Sequence, residues 1–330
     1  MSDNNAIKPQ IKKTTIGGQA LIEGIMMVGP ERTAIAVRKG DGTIYIEENK
    51  QSERVSFFEK VPFIRGCIRF YKMLVKGTGA LMKSADISEE GKPEVEEGDA
   101  NQPTAFDKFA DKHTNVVLTL SAILGILISV GLFILLPWFI VFMIPKLLGV
   151  TLNATGWVGI GLNLAEGVLR IIIFLIYLIL ASKIEGIDRV WKYHGAEHKT
   201  IACYEAGEAL TVENIKKYRR FHPRCGTAFM FIVLALSILV YTVVGALIGS
   251  NSGLVNFALR LVLIPIICGI SFEILRIVGK HDDKAFFRAL SKPGLWLQKF
   301  TTSEPDEPII EVAIAAMQAV IPENAQDDNW

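Results

Sequence analysis

The sequence predicts a mainly α-helical, polytopic membrane protein: four transmembrane helices with a small N-terminal cytoplasmic α+β region. Two observations carry this. Four long apolar runs are nearly free of charge, and Lys and Arg collect in some of the connections between them but not in others. Of the 330 residues 50% are hydrophobic, and they concentrate in those runs instead of spreading as a soluble core would require.

A helix needs about 20 apolar residues to cross the hydrocarbon. Val116–Ile144, Trp157–Ser182, Thr227–Gly249 and Leu254–Gly279 meet that length. The first is longer than needed, so either it tilts or kinks at Pro137, or it folds back as a re-entrant hairpin. Orientation follows from the basic residues. The connection Pro145–Gly156 has only Lys146, and Ser250–Gly253 has none. Lys183–Gly226 carries Lys183, Arg189, Lys192, Lys199, Lys216, Lys217, Arg219, Arg220 and Arg224, and the tail opens with Lys280, Lys284 and Arg288. The long loop and both termini are therefore expected in the cytoplasm. Met1–Lys13 lacks the layout of a signal peptide. The net charge of +1 offers no global field for nucleic acid. Cys67, Cys203, Cys225 and Cys268 show no disulfide spacing, and the first three are expected as free thiols in a reducing compartment.

The chain divides into an N-terminal region (1–88), an acidic linker expected to be disordered (89–104), a membrane domain (105–279) with loop 183–226, and a tail (280–330). Alternating residues on both sides of Gly40-Asp41-Gly42 predict a β-hairpin over about 33–48. Gly17-Gly18 either lets the backbone approach a ligand or helix or marks a plain turn. Residues 62–84 predict a basic amphipathic helix, with Ile64, Ile68, Tyr71, Val75 and Leu81-Met82 near helical spacing. Such a helix lies in the membrane interface or packs on the hairpin. In the tail, Asp306 caps a short helix over about 307–320 whose small-residue face suggests docking, or which is simply solvated.

The loop holds the candidate chemistry. In His194-Gly195-Ala196-Glu197-His198 the two histidines are four apart, so on a helix they stack on one face and can share a metal. Glu197 lies near that face and is the candidate general base, in the His-x-x-Glu-His order of inverted zincins. His222-Pro223-Arg224-Cys225-Gly226 adds an imidazole and a thiol at a spacing that lets both reach one ion. His194, His198, His222 and Cys225 together make a tetrahedral set, and imidazole with thiolate prefers a divalent transition metal, zinc above all. Three of the four with a free position make a catalytic site instead. Cys203, Glu205 and Glu208 are spare ligands, and Glu273 is a more distant ligand or a partner to a ligand histidine. The alternative is a polar structural knot: His194 with Trp191 and Tyr193 in an interfacial belt, and His222 at a helix start. Within the spans, Glu166 and Arg170 are one turn apart and pair, with Arg260 near enough to join; Glu273 and Arg276 otherwise reach for the interface.

These segments resemble the YqhQ family of bacterial membrane proteins. The likeness runs through Gly17-Gly18-Gln19-Ala20, Glu23-Gly24-Ile25-Met26-Met27, Tyr193–Lys199, His222–Thr227 and Thr301–Ala313. It implies a protein of the bacterial cytoplasmic membrane, of a family of unknown function labelled as a predicted metal-dependent enzyme. Members tend to carry a basic residue after the Met-Met pair, where this chain has Val28; if that residue touches a ligand in the family, the role does not carry over to this position.

Three functions follow as expectations. One is a metal-dependent hydrolase at the cytoplasmic membrane face. Another is a non-catalytic accessory or scaffold subunit of a membrane machine such as a translocation or insertion complex, with the ribosome or a translocase as partner to the basic face. The third, a transporter, is disfavoured by four spans without an inverted repeat, although a homo-oligomer can build a pore. The lipid bilayer is an expected partner under each of these readings. The orientation has a direct test. A cysteine replacing Asn153 should react with an impermeant maleimide in intact cells, and one replacing Glu208 only after permeabilisation; the reverse pattern inverts the topology.

Overall fold

The computed structural model describes residues 13–51, 57–91, 114–150, 156–184, 186–248, 253–281, 283–324 and 328. Linker residues 92–104 lie outside the described residues. The chain forms two compact units, one of residues 1–92, 178–233 and 263–330, the other of 93–177 and 234–262.

The first unit is built on an antiparallel meander, β1 (Gly17–Leu21), β2 (Gly24–Val28), β3 (Arg32–Arg38) and β4 (Ile44–Lys50), in the order β1-β2-β3-β4. The hairpin expected at 33–48 is β3 and β4, in register Arg38↔Ile44 through Arg32↔Lys50. The glycine segment before it forms the other two strands. It turns at Ile22-Glu23, where Glu23 takes a positive φ of 50°, a costly conformation for a residue with a Cβ. Arg189 grips the Glu23 carboxylate with two N–H groups.

Both sheet faces are covered, which is why Ile25, Met26 and Met27 are buried in succession instead of alternating with polar residues. Leu21, Met26, Ile35 and Val37 pack with Ala80 and Ile87 of α1 (Ile64–Glu89). Ile25, Met27, Ala34 and Ala36 face the other way, onto Tyr193, Ala196 and Ile201 of α4 (Ile187–Glu205) and onto α9 (Glu307–Gln318). The tail helix therefore docks on its own chain. Asp306 caps it, accepting from the Ile309 N–H at 3.2 Å, and Ile309, Val312, Ala313, Ala316 and Met317 fill the core. The tail also contains a helix that the sequence reading missed, α8 (Ala285–Thr301). Helix α5 (Val212–Lys216) sits in the long loop, capped by Thr211.

Among the described residues, four helices are long and apolar enough to cross a membrane. The first, α2, begins at Thr114–Val130 and continues through π turns Gly131–Leu135 and Phe139–Met143 to Ile144–Leu147. It does not fold back, and it runs three residues beyond the expected end. The others are α3 (Gly156–Ala181), α6 (Gly226–Ile248) and α7 (Gly253–Lys280).

In the second unit, the π turns of α2 flank Pro137. Proline lacks an N–H and pushes away the carbonyl four residues back, here that of Phe133. Arg170 Nε donates to that freed oxygen at 2.8 Å. The same guanidinium pairs with Glu166 at 2.6 Å, and Arg260 joins on the same carboxylate oxygen, so the expected pair is a triad. Tyr241 lies under both arginines, 5.3 and 5.2 Å from ring centre to guanidinium. Charge in a span survives by such pairing.

In the first unit the segment before β1 meets buried Asp328. Its carboxylate accepts from Thr14 Oγ1, from the Thr15 N–H at 2.9 Å and from Tyr204 OH at 2.9 Å. Burial opposes the charge, but these donors outweigh it and hold the carboxyl below its ordinary value. A depressed carboxyl stabilises the fold above the unfolded pKa of about 3.9, and that contribution is lost as pH falls through the folded value. Asp328→Ala should therefore loosen the tail by about 1–3 kcal/mol at neutral pH, seen as faster proteolysis after Val320. The difference from the parent should close under acid.

Candidate metal centre

Helix α4 starts after Gly186, at a φ of +85°, and puts His194 and His198 one turn apart with ring centres 4.4 Å from each other. Each ring is fixed from behind. His194 Nδ1 donates to the Thr301 carbonyl at 2.7 Å, and His198 Nδ1 to the Arg220 carbonyl at 2.6 Å. With Nδ1 acting as donor, the neutral ring presents Nε2 as a bare lone pair. This is the backing a metal-ligating histidine ordinarily has.

His194 Nε2 lies 3.2 Å from Cys225 Sγ. Cys225 immediately precedes α6, and its sulfur accepts from the Thr227 N–H at 3.4 Å, in the positive field of a helix start. Burial pushes the thiol up, yet the imidazoles of His194 and His198 outweigh it and bring it well below its ordinary value. Burial likewise disfavours the His194 cation, but the adjacent sulfur raises that imidazole to about 9. The two groups thus favour opposite charges across 3.2 Å, and a divalent cation would serve both donors at once.

Ligand atoms of His194, His198 and Cys225 all lie within 4.8 Å of one another. Tetrahedral zinc asks for N···S separations of about 3.5 Å, so His194 and Cys225 stand close to that spacing and small side-chain shifts bring in the rest. Glu197 is buried beside them. Burial pushes its carboxyl up, against the His198 and His194 imidazoles and the Gly18 N–H that donates to it. Gly18 thus realises the close approach of the Gly-Gly pair: a Cβ there would lie 3.1 Å from Glu197 Cγ and 2.7 Å from the Met26 carbonyl.

His222 does not join this group. Gln298 holds its backbone from both sides, accepting from the N–H at 2.8 Å and donating to the carbonyl at 2.7 Å. Its Nε2 faces Glu205 at 3.7 Å and Arg224 at 3.3 Å. Glu205 is no spare ligand either: it pairs with Arg224 and accepts the Thr14 N–H at 2.8 Å, tying the motif to the N-terminal segment. Cys203 is buried with Ile215 and Ile310, where burial raises its thiol to about 11, an inert core position. Glu208 offers the Cys203 thiol only a long backbone contact, at 4.0 Å. Glu273 is taken by Arg65, whose Nε donates at 2.6 Å and whose second nitrogen closes a fork; it neither binds at the centre nor backs a ligand histidine.

The contributions that sequence reasoning missed are backbone carbonyls and an amide: Thr301, Arg220 and Gln298. A carbonyl belongs to every residue type, so no residue pattern marks it. The stretch Thr301–Pro305, ahead of the capped helix, stood out only by resemblance.

Fold and site together define a polytopic membrane protein with a buried His-His-Cys cluster beside a spanning-helix start. The chain matches the family described as protein of unknown function (DUF1385) over residues 61–323, and it belongs to that family. It is similar to the uncharacterized protein YqhQ of Bacillus subtilis (strain 168), 32% identical over 312 residues that cover 92% of each chain. No solved structure matches it.

A methyl at Gly195 would overlap the Ser303 carbonyl oxygen. Gly195→Ala should therefore push the 301–305 segment off α4 and cost about 1–3 kcal/mol, read as a lowered melting point in detergent with the four spans still inserted.

Proposed function

We propose that this protein is a metal-dependent hydrolase acting at the cytoplasmic face of the membrane, with His194, His198 and Cys225 as ligands and Glu197 as general base. The observation that carries the reading is the convergence of three donors with the buried Glu197 carboxylate beside them, near enough for the His198 and His194 imidazoles to act on its charge. Closed structural zinc sites use four protein ligands, and catalytic ones use three and keep a position open.

Zinc held there would supply Lewis acidity and a lowered pKa for bound water. The chain's own residues do the rest. The Thr301 and Arg220 carbonyls keep both imidazoles in the ligating tautomer. The Gly18 N–H holds the Glu197 carboxylate in place. Burial raises that carboxyl toward the range in which it takes a proton from attacking water and returns it to a leaving group. The accessory-subunit reading loses one of its supports, since α9 spends its apolar face on the protein's own sheet.

Elemental analysis of the purified protein should find roughly one equivalent of zinc or a similar ion. His194→Ala and Cys225→Ser should lose it. Cobalt substitution should give a thiolate charge-transfer band that Cys225→Ser abolishes. Glu197→Gln should keep the metal and lose cellular function. A folded protein that takes up no divalent metal under saturation would overturn the proposal. Full cellular function in Glu197→Gln would leave a metal site without the chemistry.

A further inference from the structure

Helix α1 is amphipathic in the sense opposite to a soluble helix. Its buried residues are Gly66, Gly77, Ala80, Ser84, Ile87 and Ser88, mostly small. The large apolar residues of its first half face outward: Phe63, Ile64, Tyr71, Leu74 and Val75 are 44–67% exposed. The 3-10 turn before it adds Phe57 and Phe58, 74% and 57% exposed. A surface of this size and continuity marks an interaction site, and water is the wrong neighbour for it.

Its place along α7 says what the neighbour is. Gly66 and Gly269 cross so closely that a Cβ on Gly269 would lie 2.6 Å from the Phe63 carbonyl, and one on Gly66 would meet Phe272 at 2.7 Å. Cys67 Sγ donates to the Pro265 carbonyl at 3.0 Å. Small residues that let two backbones touch are the usual packing of helices in lipid. Between Arg260 and Glu273, α7 has no charge. At a rise of about 1.5 Å per residue, Gly269 and Pro265 lie about 6 and 12 Å further into that apolar stretch than Glu273. The start of α1 is thus attached inside the apolar layer. Arg65 enters with its charge matched by Glu273, and Lys72 with Glu59 at 3.0 Å.

We propose that residues 57–75 form a fifth membrane-embedded element, a wedge that enters one leaflet without crossing it and whose occupant is lipid acyl chain. It neither lies flat on the surface nor packs wholly on the sheet: its second half covers the sheet, and its first half sits among lipids beside α7.

Photo-crosslinking in native membranes tests this. Benzoyl-phenylalanine replacing Phe57, Phe63 or Leu74 should yield phospholipid adducts by mass spectrometry, at about tenfold the level of the same probe at exposed Lys50. Gly269→Leu, which fills the space of the Phe63 carbonyl, should lower the adduct at 63 severalfold. Lipid adducts no more frequent than at Lys50 would overturn the proposal, and so would adducts mainly to another protein, which would make the face a protein-docking surface. The comparison in the otherwise unaltered chain decides the matter even if Gly269→Leu fails to fold.

Discussion

The turn of α4 from His194 to His198 runs through the middle of the first unit, and it does so because two glycines let backbone come close. Gly195 admits the Ser303 carbonyl on one side, and Gly18 brings a strand amide to the Glu197 carboxylate on the other. Everything else in the centre hangs on that approach. Glu197, His198 and Lys199 are each at most 5% exposed. Unpaired, groups of this kind cost several kcal/mol each. Here Glu197 has the Gly18 amide, His198 the Arg220 carbonyl and Lys199 the Glu304 carboxylate.

The same contact turns a sequence of distant segments into one site. The strand that supplies Gly18, the loop that supplies Arg220, the helix start that supplies Cys225 and the tail that supplies Thr301 all converge on a single helical turn. The tail is held there by α9, whose apolar face belongs to the sheet core. The Thr301 carbonyl carried by this segment fixes the His194 ring.

Within the spans the logic is electrostatic. Pro137 strips a carbonyl from α2, and Arg170 takes it up while sharing Glu166 with Arg260. At the other end of α7, Arg65 and Glu273 match charge where α1 meets an apolar stretch. Both arrangements place each cation where a carboxylate has already been committed, which is the condition for charge to persist in lipid.

Much of this was legible beforehand. Four apolar runs announce four spans because the hydrocarbon sets a length that composition alone can meet. The β3–β4 hairpin shows in its alternation around Gly40-Asp41-Gly42, and the His194–His198 spacing is fixed by helical geometry. The sequence could not say which of four candidate ligands converge, since His222 and Cys225 are three residues apart and it is the Gln298 clamp on the backbone, with Glu205 and Arg224 at the ring, that holds His222 elsewhere. Nor could it say which face of α1 is buried. Hydrophobic periodicity locates an apolar stripe but does not name its solvent, and it was the glycine crossing with α7 that set the stripe facing outward. The spans, the helical register of the histidines and the donor types can be read from the chain alone, because each depends on residues close together in it. Which candidate donors converge, the carbonyls behind them and the buried face of α1 emerge only in three dimensions, because these depend on backbone groups and close approaches between segments up to two hundred or so residues apart.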